Sequence, residues 1–455
     1  MLAATPMHSR ERHARRGAQR HRRHSNRAAA RAARIAAVAV WALAAPRLGA
    51  QNAPAYWGDL RPGSHAVGYR LEYVRDPSRT AALPPRADSL PIPGPRRGAE
   101  PERILPLRIW YPAVRVAGHA PMRYGDYLAT RPESGAAPAI ADSLRERTVG
   151  LVRFAARWYA APTGAGRAPV SAGDTAGLAD RLLAMPAHAR RGARPAPGSF
   201  PVVVFAGGAS HSEDENVVLW EYLASHGYVV AAFPSVGVGQ TSLPASAPGL
   251  EVQARDVEAV IGHLKSARYA DRRRLAAMGF SVGGAAALMA AARNSWIDAV
   301  VGLDPSFIAR HFAPMVRASP LFSPARVGVP VLEFHRADTT VTFALVDSLG
   351  SMVRHDVEFL GLDHIDFGSY ASAYRAALRG QRVALSAMRD SALAAKAAAY
   401  VGMAVVTREF LDAYLKGVQG AEARLHESLR PDARLWSGLP TRAVRVRSRA
   451  RENQR

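Results

Sequence analysis

One serine in this chain has neighbours that could make it reactive. It lies within residues 279–284, which read Gly-Phe-Ser-Val-Gly-Gly. The apolar residues 275–278 predict a buried strand before it, and the alanine-rich residues 285–292 predict a helix after it. Glycine is needed in a turn between such elements, because the backbone is strained and the strand and helix pass close together. The turn would present the Ser281 hydroxyl at the carboxyl end of a sheet, beside helical N–H groups that favour negative charge. We therefore predict that Ser281 is a nucleophile.

A serine hydroxyl needs a general base, and the base needs an acceptor that orients it. His364 lies in the loop 361–367, which directly follows the predicted strand 357–360, and it has the chain order and loop position that a base would need. Two aspartates could be the acid. Asp304 follows the predicted strand 299–303, and Asp338 follows the next predicted strand. The order of these residues along the chain permits either acid.

Such a site also needs two N–H donors for the negative oxygen that forms during the reaction. The backbone N–H of Val282, directly after the predicted nucleophile, is the first candidate. The second should come from residues 206–209, Ala-Gly-Gly-Ala, which follow the predicted strand 202–205. We favour the N–H of Ala209, with Gly208 as the alternative. A plain turn is the other interpretation of this loop.

The rest of the chain predicts the elements that would position these groups. From residue 201 onward, apolar runs alternate with helical patterns, which predicts an α/β fold with a doubly wound, mostly parallel sheet. Residues 66–75 and 105–111 predict an antiparallel hairpin at the sheet edge, where Pro106 is tolerated. The predicted strands are 202–205, 228–233, 275–278, 299–303, 329–334 and 357–360, and the predicted helices are 216–226, 252–267, 285–292 and 394–415.

The segments divide the chain into three parts. Residues 1–50 are expected to be a targeting segment, 51–420 the folded domain, and 421–455 a basic, disordered tail. Within the domain, residues 114–198 are expected to be a helical insertion, with helical patches at 139–158 and 175–185. The insertion is either a cap above the site or a peripheral addition, and its composition favours neither.

The first 50 residues resemble an export signal. A long basic stretch, 10–34, precedes eleven apolar residues, 35–45, and then Leu48-Gly49-Ala50, which ends in small residues as a cleavage site does. Eleven apolar residues are few for a membrane span. We therefore expect export to the periplasm or the exterior with cleavage, and an uncleaved anchor or a basic arm is the alternative.

Composition narrows the classes of function. The formal charge of +23 comes almost entirely from arginine, and the chain has three lysines, Lys265, Lys396 and Lys416. Eleven arginines lie in the first 50 residues, and no basic stripe is interleaved with aromatic residues, so a nucleic-acid partner is not expected. The absence of cysteine excludes disulfides, thiolate metal sites and a cysteine nucleophile. We expect no metal or cofactor, and we expect membrane contact only through the N-terminal segment. The sequence predicts no oligomeric state.

Several of these stretches together resemble the platelet-activating-factor acetylhydrolase family and its dienelactone-hydrolase-like bacterial relatives. They are residues 108–113 (Arg-Ile-Trp-Tyr-Pro-Ala), 202–233, 279–284, 302–305 (Gly-Leu-Asp-Pro) and His364 with Asp366-Phe367. The resemblance implies an α/β-hydrolase fold and serine esterase activity. It favours Asp304 over Asp338, because the acid of the acetylhydrolases follows the strand after the nucleophile.

The chain also departs from that family. Gly207-Gly208 stands where the family often has His-Gly, Phe280 stands where a histidine is frequent, and the insertion 114–198 has no counterpart. We expect an exported serine hydrolase that cleaves short-chain carboxylic esters, such as acetyl or oxidised phospholipid esters, through an acyl-enzyme. The alternatives are a serine peptidase or amidase of the same fold, and a non-catalytic, hydrolase-like envelope binding protein.

Overall fold

The structure is a computed structural model of the full chain. It describes residues 53–80, 102–116, 120–127, 180–209, 215–237, 243–350, 353–379, 387–440 and 443–449. All of them belong to one compact unit, Ala53–Arg455. The predicted targeting segment and the predicted helical patch 139–158 lie outside the described residues.

A ten-stranded sheet forms the centre of this unit. Its strands are β1 (Ala66–Thr80), β2 (Glu102–Ala113), β3 (Ala189–Arg191), β4 (Phe200–Ala206), β5 (Val229–Phe233), β6 (Ala270–Phe280), β7 (Ala299–Leu303), β8 (Val331–Arg336), β9 (Arg354–Phe359) and β10 (Val444–Arg449). Their spatial order is β10-β9-β8-β7-β6-β4-β5-β2-β1-β3. The six neighbouring strands β9, β8, β7, β6, β4 and β5 are parallel to one another. Strand β2 pairs antiparallel with β5 and with β1. The predicted α/β class with an antiparallel hairpin is confirmed.

Helices cover both faces of the sheet. They are α1 (Val217–Ser225), α2 (Ala247–Leu264), α3 (Val282–Ala291), α4 (Ala313–Arg317), α5 (Tyr370–Leu378), α6 (Ala387–Leu411) and α7 (Ala421–Ser428). In β4, Val203 and Phe205 pack with α1, α5 and α6, whereas Val202 and Val204 pack with α2 and α3 on the other face. Both faces of the central strands are therefore buried, which explains why the strands are continuous apolar runs.

The expected hairpin is present, but it does not form the edge of the sheet. The short strand β3 pairs in parallel with Val67–Tyr69 of β1 and lies outside it. Pro106 therefore does not lie on an edge strand, contrary to the prediction. It lies in β2 opposite Tyr73 of β1, but the pairing of β2 with β5 covers only Arg108–Trp110. The missing N–H of Pro106 therefore costs no ladder bond to β5.

The expectation of a disordered tail at 421–455 is wrong for the described residues beyond 420. Helix α7 begins at Ala421, and β10 pairs antiparallel with β9 along its whole length. The Trp436 ring packs over Gly402 of α6, where an added Cβ would lie 2.1 Å from the ring. The domain therefore continues to at least Arg449, because this segment supplies an edge strand and an aromatic side chain to the core.

The ends of the expected insertion join the core around one buried carboxylate. Glu221 of α1 is 0% exposed and accepts five hydrogen bonds of 2.6–2.9 Å. Its donors are the Tyr56 hydroxyl, the Trp57 indole, the Tyr127 hydroxyl and the backbone N–H groups of His188 and Ala189. Residues 128–179 of the insertion lie outside the described residues, so the cap hypothesis stays a prediction.

A second buried acidic group lies inside the sheet. Glu333 of β8 is 0% exposed and stands opposite Asp356 of β9. Burial raises the pKa of the Glu333 carboxyl to about 8, and the nearby Asp356 adds to the rise. Burial also opposes ionisation of Asp356, but its contacts with His335 and Arg447 lower its pKa. The two carboxyl groups therefore share one negative charge at neutral pH.

Replacing Glu333 with glutamine is expected to change how stability depends on pH. In the wild type, the unfolded chain ionises Glu333 near its ordinary pKa of 4.5, whereas the folded protein keeps the proton until about pH 8. As the pH rises from 4.5 to about 8, the free energy of unfolding should therefore decrease. The contribution of Glu333 to this decrease is at most about 1.4 kcal/mol per pH unit. Urea unfolding at pH 5, 6.5 and 8 would measure it. Glu333→Gln should lose this part of the slope and the control Glu358→Gln should keep it. Equal slopes in the wild type and Glu333→Gln would contradict the prediction.

No helix among the described residues is long and apolar enough to span a bilayer.

Candidate active site

Ser281 lies on the predicted turn between a strand and a helix. Strand β6 ends at Phe280 and helix α3 begins at Val282. Ser281 has φ 54° and ψ −123°, a conformation that costs a non-glycine residue about 1–3 kcal/mol. The flanking glycines are required, because a Cβ on Gly279 would lie 2.1 Å from the Gly283 oxygen and one on Gly283 would lie 2.0 Å from the Ala206 oxygen.

Backbone hydrogen bonds tie this strained residue to the next strand. The Ser281 N–H donates to the Leu303 oxygen at 3.1 Å, and the Ser281 oxygen accepts from the Ser306 N–H at 2.8 Å. Asp304 lies between those partners and also has a positive φ, 41°. Among the described residues, Ser281 and Asp304 are the non-glycine residues with positive φ. The two strained positions are therefore adjacent ends of neighbouring strands, at the carboxyl edge of the sheet.

His364 lies against Asp304. Its Nδ1 is 2.5 Å from Asp304 Oδ2, and the side chains are 37% and 9% exposed respectively. The Phe280 ring stacks on the imidazole, with centroids 4.5 Å apart and an interplanar angle of 27°. With Nδ1 donating to the carboxylate, Nε2 is left with the lone pair that a general base uses.

The structure separates the two candidate acids. Asp338 accepts from the Arg336 guanidinium at 3.0 and 3.1 Å and from the Thr340 N–H at 2.8 Å, whereas Asp304 contacts the His364 imidazole. The Thr340 N–H and the Arg336 side chain lower the pKa of Asp338. Of the two aspartates, the structure brings Asp304 to the histidine.

A capping box and a lysine of α6 hold the loop that carries His364. Asp363 and Asp366 form a capping box around the short helix His364–Phe367. Lys396 of α6 donates to both carboxylates, at 2.8 Å to Asp363 and 2.6 Å to Asp366. Burial alone would lower the pKa of Lys396, but these two carboxylates raise it above its ordinary value. The ammonium therefore stays charged and fixes the loop.

The predicted donors for an oxyanion lie on the expected elements. Val282 is the first residue of α3, where N–H groups have no partner within the helix. Gly208 lies beside the serine, because a Cβ added to it would meet the Phe280 ring at 2.7 Å and the Ser281 Cβ at 3.2 Å. Ala209 follows it and is partly buried. The buried Gln253 of α2 holds the loop by donating to the Gly207 oxygen at 2.6 Å.

Three of these supporting residues were not predicted from the sequence: Arg336, Gln253 and Lys396. The spacing of Asp363 and Asp366 is a capping signal that could have indicated the helix at His364. Nothing in the sequence pairs the distant Arg336 or Gln253 with the site, because those contacts depend on strand order.

Two of three comparisons with known proteins gave a match. Residues 200–343 match a family model described as Hydrolase_4, serine aminopeptidase, S33. The chain is also similar to the solved structure of a ferulic acid esterase from Streptomyces cinnamoneus, with 20% identity over 77% of this chain and 90% of that one, and a TM-score of 0.49. A search of curated proteins gives no significant match. The matched family segment contains the turn at Ser281 and both aspartates.

Proposed function

We propose that this chain, a member of the α/β-hydrolase superfamily, is a serine hydrolase that cleaves carboxylic esters through an acyl-enzyme. The observation that carries the proposal is the 2.5 Å contact between His364 Nδ1 and Asp304, beside a serine with φ 54° on the turn between β6 and α3. A strained backbone conformation costs free energy and is found mainly at functional sites. Here the strained serine and the oriented histidine both lie at the same edge of the sheet.

The geometry supports the following steps. Ser281 Oγ attacks the ester carbonyl carbon while its proton passes to His364 Nε2, and Asp304 stabilises the resulting imidazolium. The N–H groups of Val282 and Ala209 hold the oxyanion, with Gly208 as the alternative donor. The imidazolium then returns its proton to the leaving alcohol as the carbon–oxygen bond breaks. Water repeats the sequence on the acyl-enzyme and releases the acid.

The substrate class we propose is a short-chain acyl ester, including acetyl or oxidised phospholipid esters, and we propose export as the setting. The support is the sequence: the resemblance to acetylhydrolases at residues 302–305 and the basic and apolar segments in the first 50 residues. A serine peptidase or amidase is the second candidate, favoured by the description of the matched family.

Two measurements test the proposal. A fluorophosphonate probe should label the wild type covalently, and His364→Gln should reduce the labelling rate by at least about a hundredfold, because the hydroxyl loses its base. Esters and amides with the same acyl group should then be hydrolysed at very different rates, with esters faster. A protein that is folded but neither labelled nor active on any ester would instead be a binding protein. Faster amide than ester turnover would favour the peptidase.

A further inference from the structure

Arg336 joins the two aspartates that the sequence offered as alternative acids. It is the last residue of β8, and its guanidinium lies between Asp304 and Asp338. Nη1 donates to Asp304 Oδ2 at 2.8 Å, whereas Nε and Nη2 donate to Asp338 Oδ2 at 3.1 and 3.0 Å. The backbone N–H of Arg336 reaches the other Asp304 oxygen, Oδ1, at 3.2 Å. The planar guanidinium suits this bridge, because its nitrogens point at two carboxylates at once.

The arginine and the histidine share one oxygen atom. Asp304 Oδ2 accepts from Arg336 Nη1 and also contacts His364 Nδ1 at 2.5 Å. The Asp304 carboxylate is thus held in one rotation, with Oδ1 on the Arg336 backbone and Oδ2 toward the imidazole. Its negative charge is also divided between a permanent cation and an imidazole that must become a cation during acyl transfer.

The Arg336–Asp338 ion pair is a weak source of stability. The side chains of Arg336 and Asp338 are 32% and 25% exposed. Exposed pairs of this kind contribute about 0–1 kcal/mol, because solvent screens them and ordering both side chains costs entropy. An arrangement that adds little to stability, but that fixes the acid of the site, is better explained by an effect on that acid.

We propose that Arg336 is a positioning residue for acyl transfer, which orients Asp304 toward His364 and limits how strongly Asp304 stabilises the imidazolium. Asp338 sets the strength of that effect by holding and partly neutralising the guanidinium from its other side. This inference rests on the proposed function, because it assigns the role within the same site.

The charges around the imidazole come from three directions. Asp304 directly follows β7, Arg336 ends β8, and Asp338 lies two residues beyond it. The remaining charges lie on the His364 loop and on α6. On that last side, Lys396 contacts both Asp363 and Asp366. Substitutions at 336 and 338 leave that lysine and its two carboxylates in place, so they change the charge on one side of the imidazole only.

The kinetic test compares Arg336→Met and Asp338→Asn in the full chain. For Arg336→Met, kcat on an acetyl ester should fall about 10- to 100-fold, because the acid loses its fixed rotation, while KM stays within about twofold. In the plot of kcat against pH, the midpoint of the acidic limb should move to higher pH by about one unit, because the variant lacks a positive charge near the imidazolium. Asp338→Asn should move this midpoint to lower pH by a smaller amount, because Asp338 no longer partly neutralises the charge of Arg336. The exposed Arg317→Met is the control and should change neither quantity.

Opposite movements distinguish this role from a structural one. Loss of packing would lower kcat in both variants and move the limb in neither. A limb that moves the same way in both, or a kcat in Arg336→Met within twofold of the wild type, would overturn the inference.

A second measurement does not depend on turnover. NMR titration of the His364 imidazole, assigned by its absence in His364→Gln, should show midpoints that move up in Arg336→Met and down in Asp338→Asn. If the wild type neither hydrolyses esters nor reacts with a fluorophosphonate, the proposed function fails. The NMR result then still decides whether Arg336 acts on His364, and unmoved midpoints would refute it.

Discussion

Ser281→Ala is expected to abolish ester hydrolysis, and Ser281→Gly is expected to abolish it while stabilising the protein. Removing the hydroxyl removes the nucleophile, which in serine hydrolases costs about 10⁴-fold or more in kcat. Alanine keeps a side chain at φ 54° and ψ −123°, and so keeps the strain, whereas glycine relieves it. We expect Ser281→Gly to be more stable than Ser281→Ala by at least about 1 kcal/mol. Hydrolysis of p-nitrophenyl acetate and urea unfolding would measure the two effects.

The control for this experiment is Ser323→Ala, a serine whose side chain caps no helix and which lies outside the proposed site. It should keep wild-type activity. Turnover by Ser281→Ala at a rate near that of the wild type would mean that another group performs the reaction. A glycine variant less stable than the alanine variant would mean that the turn is not strained in solution.

The largest stability effect is expected at Glu221. Replacing it with alanine leaves five buried donors without their acceptor, from the segments around Tyr56, Tyr127 and His188. Breaking a buried charged network from one side typically costs about 3–5 kcal/mol. Burial raises the pKa of Glu221, and hydrogen bonds from the Tyr127, Tyr56 and Trp57 side chains and from the Ala189 N–H partly offset that rise. We therefore expect Glu221→Ala to unfold at much lower urea concentration than the wild type.

Tyr127→Phe is the matched control, because it removes one of the five donors to Glu221 and keeps the aromatic ring in the core. Its cost should be about 1 kcal/mol. If Glu221→Ala cost no more than Tyr127→Phe, the carboxylate would not be what joins the insertion to α1.

The turn at Ser281 and the central sheet were predictable because their signals are local. Glycines at 279, 283 and 284 and apolar runs of four to six residues report their own conformation. The choice between Asp304 and Asp338 was not local. Both follow strands, and only the side-by-side order of β6, β7 and β8 puts Asp304 against His364 and leaves Asp338 on the far side of Arg336.

The prediction of a disordered C-terminal tail is wrong because the many arginines hide a strand pattern that alternates with a period of two residues. Residues 444–449 read Val-Arg-Val-Arg-Ser-Arg, which is the alternation of a strand with one face exposed, yet the arginines suggested a solvated tail. In the structure these arginines have acceptors across the sheet: Arg445 contacts Glu358, and Arg447 contacts Asp356. Basic residues on an edge strand also discourage pairing with other chains.

Primary amines are scarce in this protein, and the lysine side chains are already engaged. Lys396 contacts Asp363 and Asp366 beneath His364, Lys416 donates to the His226 oxygen, and Lys265 lies over the Trp296 ring. Reagents that acylate amines, including those used to attach enzymes to solid supports, would therefore have few targets away from structural contacts. Neutralising Lys396 would release two carboxylates below the histidine. Attachment chemistry directed at carboxyl groups or at an added tag suits this molecule better.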